Sequence, residues 1–153
     1  MKQLSVGTII TDNKNILIGH TTWGKGFDIP KGRQEEGETY IQTAMRELNE
    51  EFGIVETEFR FQELGMFEYL KNKDLFLFKI KYGNLHQDIT LSTLKCSSYF
   101  DKDGKQFPEI NGYKIITIES IKNYCYLSLT KVLNQIFVQQ ENYERYNRYR
   151  SRR

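Results

Sequence analysis

The chain has 153 residues, 39% apolar and 27% charged, with a formal net charge of +2. That balance fits one globular domain and excludes a disordered chain or a pair of large domains. Two histidines exclude a three-histidine zinc site, and Cys96 and Cys125 are too far apart for a CxxC motif, so a reducing compartment is expected.

No apolar run approaches the ~18 residues of a membrane span, and Met1-Lys2-Gln3-Leu4-Ser5 lacks the apolar stretch of a signal peptide. A cytoplasmic location with no membrane contact is the expectation. The small net charge conceals an asymmetry. Residues 32–54 carry two Arg and six Glu, net −4, whereas residues 141–153 carry five Arg and two Glu, net +3.

Residues 3–11 and 15–22 are β-branched and apolar, and Asp12-Asn13-Lys14-Asn15 between them predicts a hairpin. Residues 23–32, punctuated by Gly24, Gly26, Pro30 and Gly32, read as a loop. A helix is expected from Tyr40 to Phe52. Thr39 with Gln42 fits a capping box, and Gly53 is placed to end the helix. Residues 58–70 and 74–82 read as a second antiparallel pair, 89–100 as extended chain, Asp103-Gly104 as a turn and 112–118 as a strand. One or two helices follow between Glu119 and Tyr143, the longer starting near Ser128. Mixed strands with these helices predict an α/β sandwich in one domain over residues 1–140, followed by a basic tail over 141–153.

Within the predicted helix, Ile41, Ala44, Met45, Leu48 and Phe52 recur at helical spacing and form the core-facing stripe. Glu47, Glu50 and Glu51 stand at i, i+3 and i+4, which places them on the face away from the core. The arrangement is locally unfavourable. Like charges at these spacings repel by roughly 0.2–0.5 kcal/mol per pair, and Glu50 and Glu51 sit at the negative end of the helix dipole. A solvated acidic face is one reading. The other is that hard divalent cations, which take oxygen ligands, compensate the repulsion.

The surrounding spacing decides between them. The run Gly32-x5-Glu38-x7-Arg46-Glu47-Leu48-x-Glu50-Glu51-x-Gly53-Ile54 carries seven fixed identities besides the apolar Leu48 and Ile54, expected by chance on the order of 10⁻⁸ times per starting position at a usage of ~7% each. It matches the Nudix box at every defining position, and the chain resembles the Nudix hydrolases. The resemblance implies a Nudix-type α/β/α sandwich with a mixed sheet and Mg²⁺- or Mn²⁺-dependent hydrolysis of a nucleoside diphosphate linked to another moiety. Glu47, Glu50 and Glu51 would be metal ligands, with Glu38 and the Gly32 carbonyl beside them. Arg46 would hold the glutamates in register, and Glu47 or Glu50 would assist in activating water. Glu109, in the loop before the late strand, matches the place where many members carry a further catalytic glutamate.

Substrate contacts are expected from Lys31, Trp23, Phe27 and Tyr113. Phe27-Asp28-Ile29-Pro30-Lys31-Gly32 resembles the approach to the box in diadenosine polyphosphate and ADP-ribose hydrolases, with Phe27 where Trp is common. Trp23 is either a base-stacking residue or a core anchor, and Tyr113 and Tyr126 either stack on a base or pack. Residues 92–113 resemble the small Nudix hydrolases of T4-type bacteriophages, which act on ADP-ribose, diadenosine polyphosphates and reduced dinucleotides. For a phage-encoded chain the location would be the host cytoplasm. The substrate expected first is therefore ADP-ribose or a diadenosine polyphosphate, releasing AMP. In the tail, Tyr143, Tyr146 and Tyr149 alternate with Arg145, Arg148 and Arg150, the elements of a single-strand RNA grip or of a solvated helix extension. The alternatives are an RNA 5′-end pyrophosphohydrolase or decapping enzyme, a nucleoside triphosphate sanitising enzyme, and a non-catalytic nucleotide- or RNA-binding module. The resemblance also admits a homodimer.

Overall fold

The computed structural model describes residues 2–152. Strands β1 (Gln3–Thr11) and β2 (Asn15–Thr21) form the expected hairpin. Its turn is tied by Asp12, whose carboxylate accepts from the backbone N–H of Lys14 at 2.9 Å and of Asn15 at 2.7 Å. The two strands then part, pairing directly at Thr11 and Ile16. The remaining strands are β3 (Phe27–Asp28), β4 (Lys31–Arg33), β5 (Gln62–Leu70), β6 (Lys73–Lys81), β7 (Tyr99–Lys102), β8 (Lys105–Pro108) and β9 (Ile110–Thr117). β1 runs parallel to β6, which continues antiparallel into β5. β2 pairs antiparallel with β9 on one side and β3 on the other. In the opening between β1 and β2, β4 pairs antiparallel with Ser5–Gly7 of β1.

Helix α1 (Tyr40–Phe52) covers one face of this mixed sheet and α3 (Leu127–Ser151) the other; α2 (Leu85–Asp88) is a single short turn. Alternation along the strands feeds both layers. Ile9, Ile16, Ile18, Leu75 and Leu77 pack with Leu129, Val132, Leu133 and Ile136 of α3. Ile10, Leu17 and Ile80 pack with Leu48 and Phe52 of α1, and Val6, Phe76 and Phe78 with Ala44. The α/β/α architecture is as expected.

The capping chemistry of α1 is also as read. Thr39 Oγ1 accepts from Gln42 N at 3.3 Å, Gln42 Oε1 accepts from Thr39 N at 2.9 Å, and Gly53 closes the helix at φ 69°. Thr39→Ala should lower stability by about 1 kcal/mol, read as a shift in the denaturation midpoint with unchanged slope.

Four segments differ from expectation. Residues 23–32 are not only a loop, because β3 and β4 pair along the edges of β2 and β1. Residues 58–60 form a 3-10 turn before β5 starts at Gln62. In 89–100, a 3-10 turn at Leu91–Thr93 precedes β7. Residues 118–123 form a further 3-10 turn, and α3 then runs unbroken to Ser151. Residues 141–152 are exposed on its surface, and the last tail residue, Arg153, lies outside the described residues. Both cysteines are free, and among the described residues no helix is long and apolar enough to cross a membrane.

Candidate active site

The chain ends a turn at Pro30 and enters β4, so that Lys31 and Gly32 lie against α1. This contact corrects the sequence reading of the acidic helix. Glu47 and Glu51 do not face solvent; they are 8% and 7% exposed. Their side of α1 flanks the apolar stripe and is covered by β4, which only the long-range pairing with β1 brings there. Glu50 stays partly exposed.

Arg46 gathers the acidic groups. Its Nε and Nη2 donate to the two oxygens of Glu38 at 2.7 and 3.0 Å, a bidentate pair. Nη1 donates to Glu47 at 2.8 Å and to Glu50 at 3.2 Å, and Nη2 also reaches the Arg33 carbonyl at 3.0 Å. Glu38 further accepts from Thr43 Oγ1 and from Glu35 N, so it ties the loop before α1 to the helix. The Arg46 hydrogen bonds hold the Glu38 carboxyl down at about 2.

Glu51 accepts from the backbone N–H of Lys31 at 2.7 Å. Gly32 leaves the space in which Glu47 lies: a Cβ at this position would stand 2.1 Å from Glu47 Oε1. The glycine is therefore required by the close approach of a carboxylate. Glu47, Glu51, Gly32, Lys31 and Glu109 line one cleft of about 370 Å³, together with Lys73. Asp28, Arg33, Ser5, Thr21 and Ile110 complete its lining. The Lys31 ammonium is 2.7 Å from Asp28 Oδ2 and lies over the Tyr69 ring.

Burial pushes the Glu47 carboxyl up to about 7 and the Glu51 carboxyl up to about 8, from ordinary values of 4.5. Glu109 raises both. Between about pH 4.5 and 8 the folded, metal-free protein thus binds more protons at these sites than the unfolded chain. The contribution of the two groups to stability must fall as pH rises through that window. In chelator, the melting temperature should drop between pH 5.5 and 8.5, and Mg²⁺ at pH 8 should restore it. A flat or rising profile in chelator would contradict the burial of the two carboxylates.

The donor set suits a hard divalent cation. Two buried carboxylates, a third acid in the same cleft and a carbonyl beside a side-chain-free position are oxygen ligands. As arranged around Arg46, no three acidic, histidine or cysteine groups among the described residues already stand in a metal-holding cluster. Glu47 and Glu50 spend their contacts on Arg46, and Glu51 on the Lys31 N–H.

The other expected contacts lie elsewhere. Tyr113 donates its hydroxyl to the Glu51 carbonyl at 2.6 Å and sets its ring edge-on to Phe52. Phe27 packs between His20 and Tyr124. Trp23, 54% exposed, lies against Phe100 and Phe107. Sequence reasoning overlooked Asp28 and Lys73. The spacing of Asp28 and Lys31, at i and i+3, was the available sign of the first; nothing local points to the second.

These features agree with the comparisons. Residues 1–132 match the NUDIX domain model. The chain is 32% identical over 148 residues to an uncharacterized 17.7 kDa protein of the e–segB intergenic region of Enterobacteria phage T4, covering 90% of this chain and 97% of that protein. Its fold is similar to the NUDIX domain of Shewanella oneidensis NrtR, solved with ADP ribose, with a TM-score of 0.66 and 12% identity over 92% of this chain and 89% of that one. It is also similar to the E. coli ORF135 protein, at 0.63 and 18% over 92% of each chain. A C. elegans Ap4A hydrolase is similar at 0.57 and 17%, over 92% of this chain and 98% of that one. The chain belongs to the NUDIX family. With the intact box, it is a Nudix pyrophosphohydrolase.

Proposed function

We propose that the protein hydrolyses a phosphoanhydride bond in a nucleoside diphosphate linked to another moiety, with ADP-ribose and diadenosine polyphosphates as the first substrates and AMP as a product. One observation carries the reading: buried Glu47 and Glu51, with Glu109, share a cleft with Lys31, Arg33 and Lys73. Carboxylates alone would repel a diphosphate. Acids that hold cations beside lysines and arginine that meet phosphate oxygens would bind it.

Glu47, Glu50, Glu51 and the Gly32 carbonyl are the groups that would hold Mg²⁺ or Mn²⁺, with Glu38 fixing Arg46 next to them. The metal would neutralise phosphate charge and lower the pKa of a bound water. Arg46 keeps the glutamates in register. Glu109 would accept a proton from the attacking water, a role supported by its position in the cleft lining, and Lys31, paired with Asp28, would offer a positive charge at the cleft wall. Support from the comparisons comes from the ADP ribose bound to the NrtR domain and from the Ap4A hydrolase. The phage T4 relative supports a phage-type enzyme acting in the host cytoplasm.

The test is AMP release from ADP-ribose and diadenosine tetraphosphate with Mg²⁺ and with Mn²⁺, alongside nucleoside triphosphates and capped or triphosphorylated RNA. AMP from the first two, abolished by chelator, is expected. Release confined to RNA 5′ ends would replace the reading with the second one. That second reading is favoured by the exposed end of α3, where Arg148, Arg150 and Arg152 have no ion pair among the described residues. Under it, deleting residues 141–153 weakens RNA binding with a reduced salt dependence. A homodimer belongs to the same proposal and is read by molecular mass in solution.

A further inference from the structure

Glu109 reaches the cleft from outside α1. It follows β8 directly, at the root of the β7–β8 hairpin. Both sides of that root are tied down. Glu109 N donates to the Ser98 carbonyl at 2.9 Å, and Thr22 N donates to the Glu109 carbonyl at 3.1 Å. Thr22 Oγ1 also donates to the Pro108 carbonyl. On the entering side, Ser97 N donates to the Glu50 carbonyl at 2.7 Å, which joins the hairpin root to the end of α1.

The body of the hairpin has one attachment of a different kind. Trp23 sets its ring edge-on to Phe100 of β7, with centroids 5.7 Å apart, and to Phe107 of β8, 5.4 Å apart. Lys102 caps the indole face from the same hairpin at 3.5 Å. Contacts of this kind contribute beyond buried area and hold the ring in one orientation.

The loop that carries Trp23 is itself braced. Thr21 Oγ1 donates to the Gly26 carbonyl at 3.0 Å and lies 3.1 Å from the Tyr126 hydroxyl, which also accepts from Gly26 N at 3.3 Å. A Cβ on Gly24 would fall 1.7 Å from that hydroxyl, so the loop lies directly on Tyr126. Trp23 therefore projects from a fixed support at the start of α3 onto an otherwise exposed hairpin.

We propose that Trp23 is a positioning residue: by clasping Phe100 and Phe107 it fixes the β7–β8 hairpin and so sets where Glu109 stands in the cleft. The proposal rests on the reading of Glu109 as a proton acceptor in hydrolysis. In this role Trp23 acts through the hairpin and not on the substrate. Its role explains why the single tryptophan of the chain is half exposed yet surrounded by aromatic edges. An exposed packing residue with no such role would be neutral to turnover.

The experiment measures kcat and KM, on whichever substrate of the panel is cleaved, for Trp23→Ala, Trp23→Phe, Glu109→Gln and the double variant Trp23→Ala/Glu109→Gln. Misplacing a reacting group by about 1 Å costs up to about 10²-fold in rate. Trp23→Ala should thus lower kcat by about 10–100-fold with KM changed less than about 3-fold, and Trp23→Phe should recover most of the loss. In the Glu109→Gln background, Trp23→Ala should add little, since both changes disable one group. Melting temperatures identify unfolded variants, and Phe107→Leu, which loosens the clasp from the other side, should repeat the Trp23→Ala pattern. A slow Glu109→Gln with a near-normal or fully multiplicative Trp23→Ala overturns the positioning role alone. A near-normal Glu109→Gln removes the reading of Glu109 instead, and the proposal with it.

Discussion

Glu51→Gln is expected to lower kcat by about 10²–10⁴-fold while the protein stays folded, and Glu50→Gln to do the same. The fold should tolerate both. Glu51 is buried, and among the described residues its carboxylate accepts one hydrogen bond, from Lys31 N, a bond that a glutamine oxygen can keep. The neutral amide also removes a charge that burial opposes. The melting temperature of Glu51→Gln in chelator at pH 8 should therefore equal or exceed that of the parent. Its rise on adding Mg²⁺ should shrink, because a ligand has been lost. Loss of turnover with retained structure and a reduced metal response is the signature of a metal ligand. Near-normal turnover in both variants would sink that assignment.

The second large effect concerns Arg46. Its guanidinium hydrogen-bonds to three carboxylates and the Arg33 carbonyl at once, with its bidentate side on Glu38, and pairs with a fourth carboxylate, Glu35, at 3.7 Å. Arg46→Met leaves four neighbouring glutamates without their shared cation and frees the Arg33 carbonyl. With the guanidinium and Glu38 each only about a fifth exposed or less, the loss should be about 1–3 kcal/mol. Arg46→Lys restores charge but not the planar fork, so it recovers stability in part and still lowers turnover by about 10–100-fold. Urea denaturation and kcat on the same samples separate the two effects. Equal recovery of both by lysine would show that charge alone, not fork geometry, holds the glutamates.

These two residues also mark the boundary of what the sequence discloses. The limits of α1, its capping box and its terminal glycine are local chemistry, contained within the residues between Thr39 and Gly53, and were readable as such. The box spacing disclosed which acids belong together. It did not disclose that Glu47 and Glu51 are buried, because helical periodicity sees only α1 and the cover comes from β4 through its pairing with β1. Trp23 gave the same difficulty in stronger form. Its partners Phe100 and Phe107 lie in a hairpin remote in sequence, and no local pattern around Trp23 points to them. Tyr113 was expected at the substrate, and its hydrogen bond to the Glu51 carbonyl was not legible in the sequence.

The end of α1 has a consequence for how the protein is made. Its last turn contains no basic residue to answer the helix dipole. Later chain answers it instead: Lys95 N donates to the Phe52 carbonyl, Ser97 N to Glu50 and Tyr113 Oη to Glu51. The helix that bears the glutamates emerges early in synthesis, but the donors that finish it come from residues 95–113, more than 40 positions further along the chain. A nascent or truncated chain ending before Lys95 would contain the entire box and still lack all three of these donors, and one ending before β9 would lack the Tyr113 hydroxyl. Hydrolysis is thereby expected to need chain well beyond the box that carries its acidic residues.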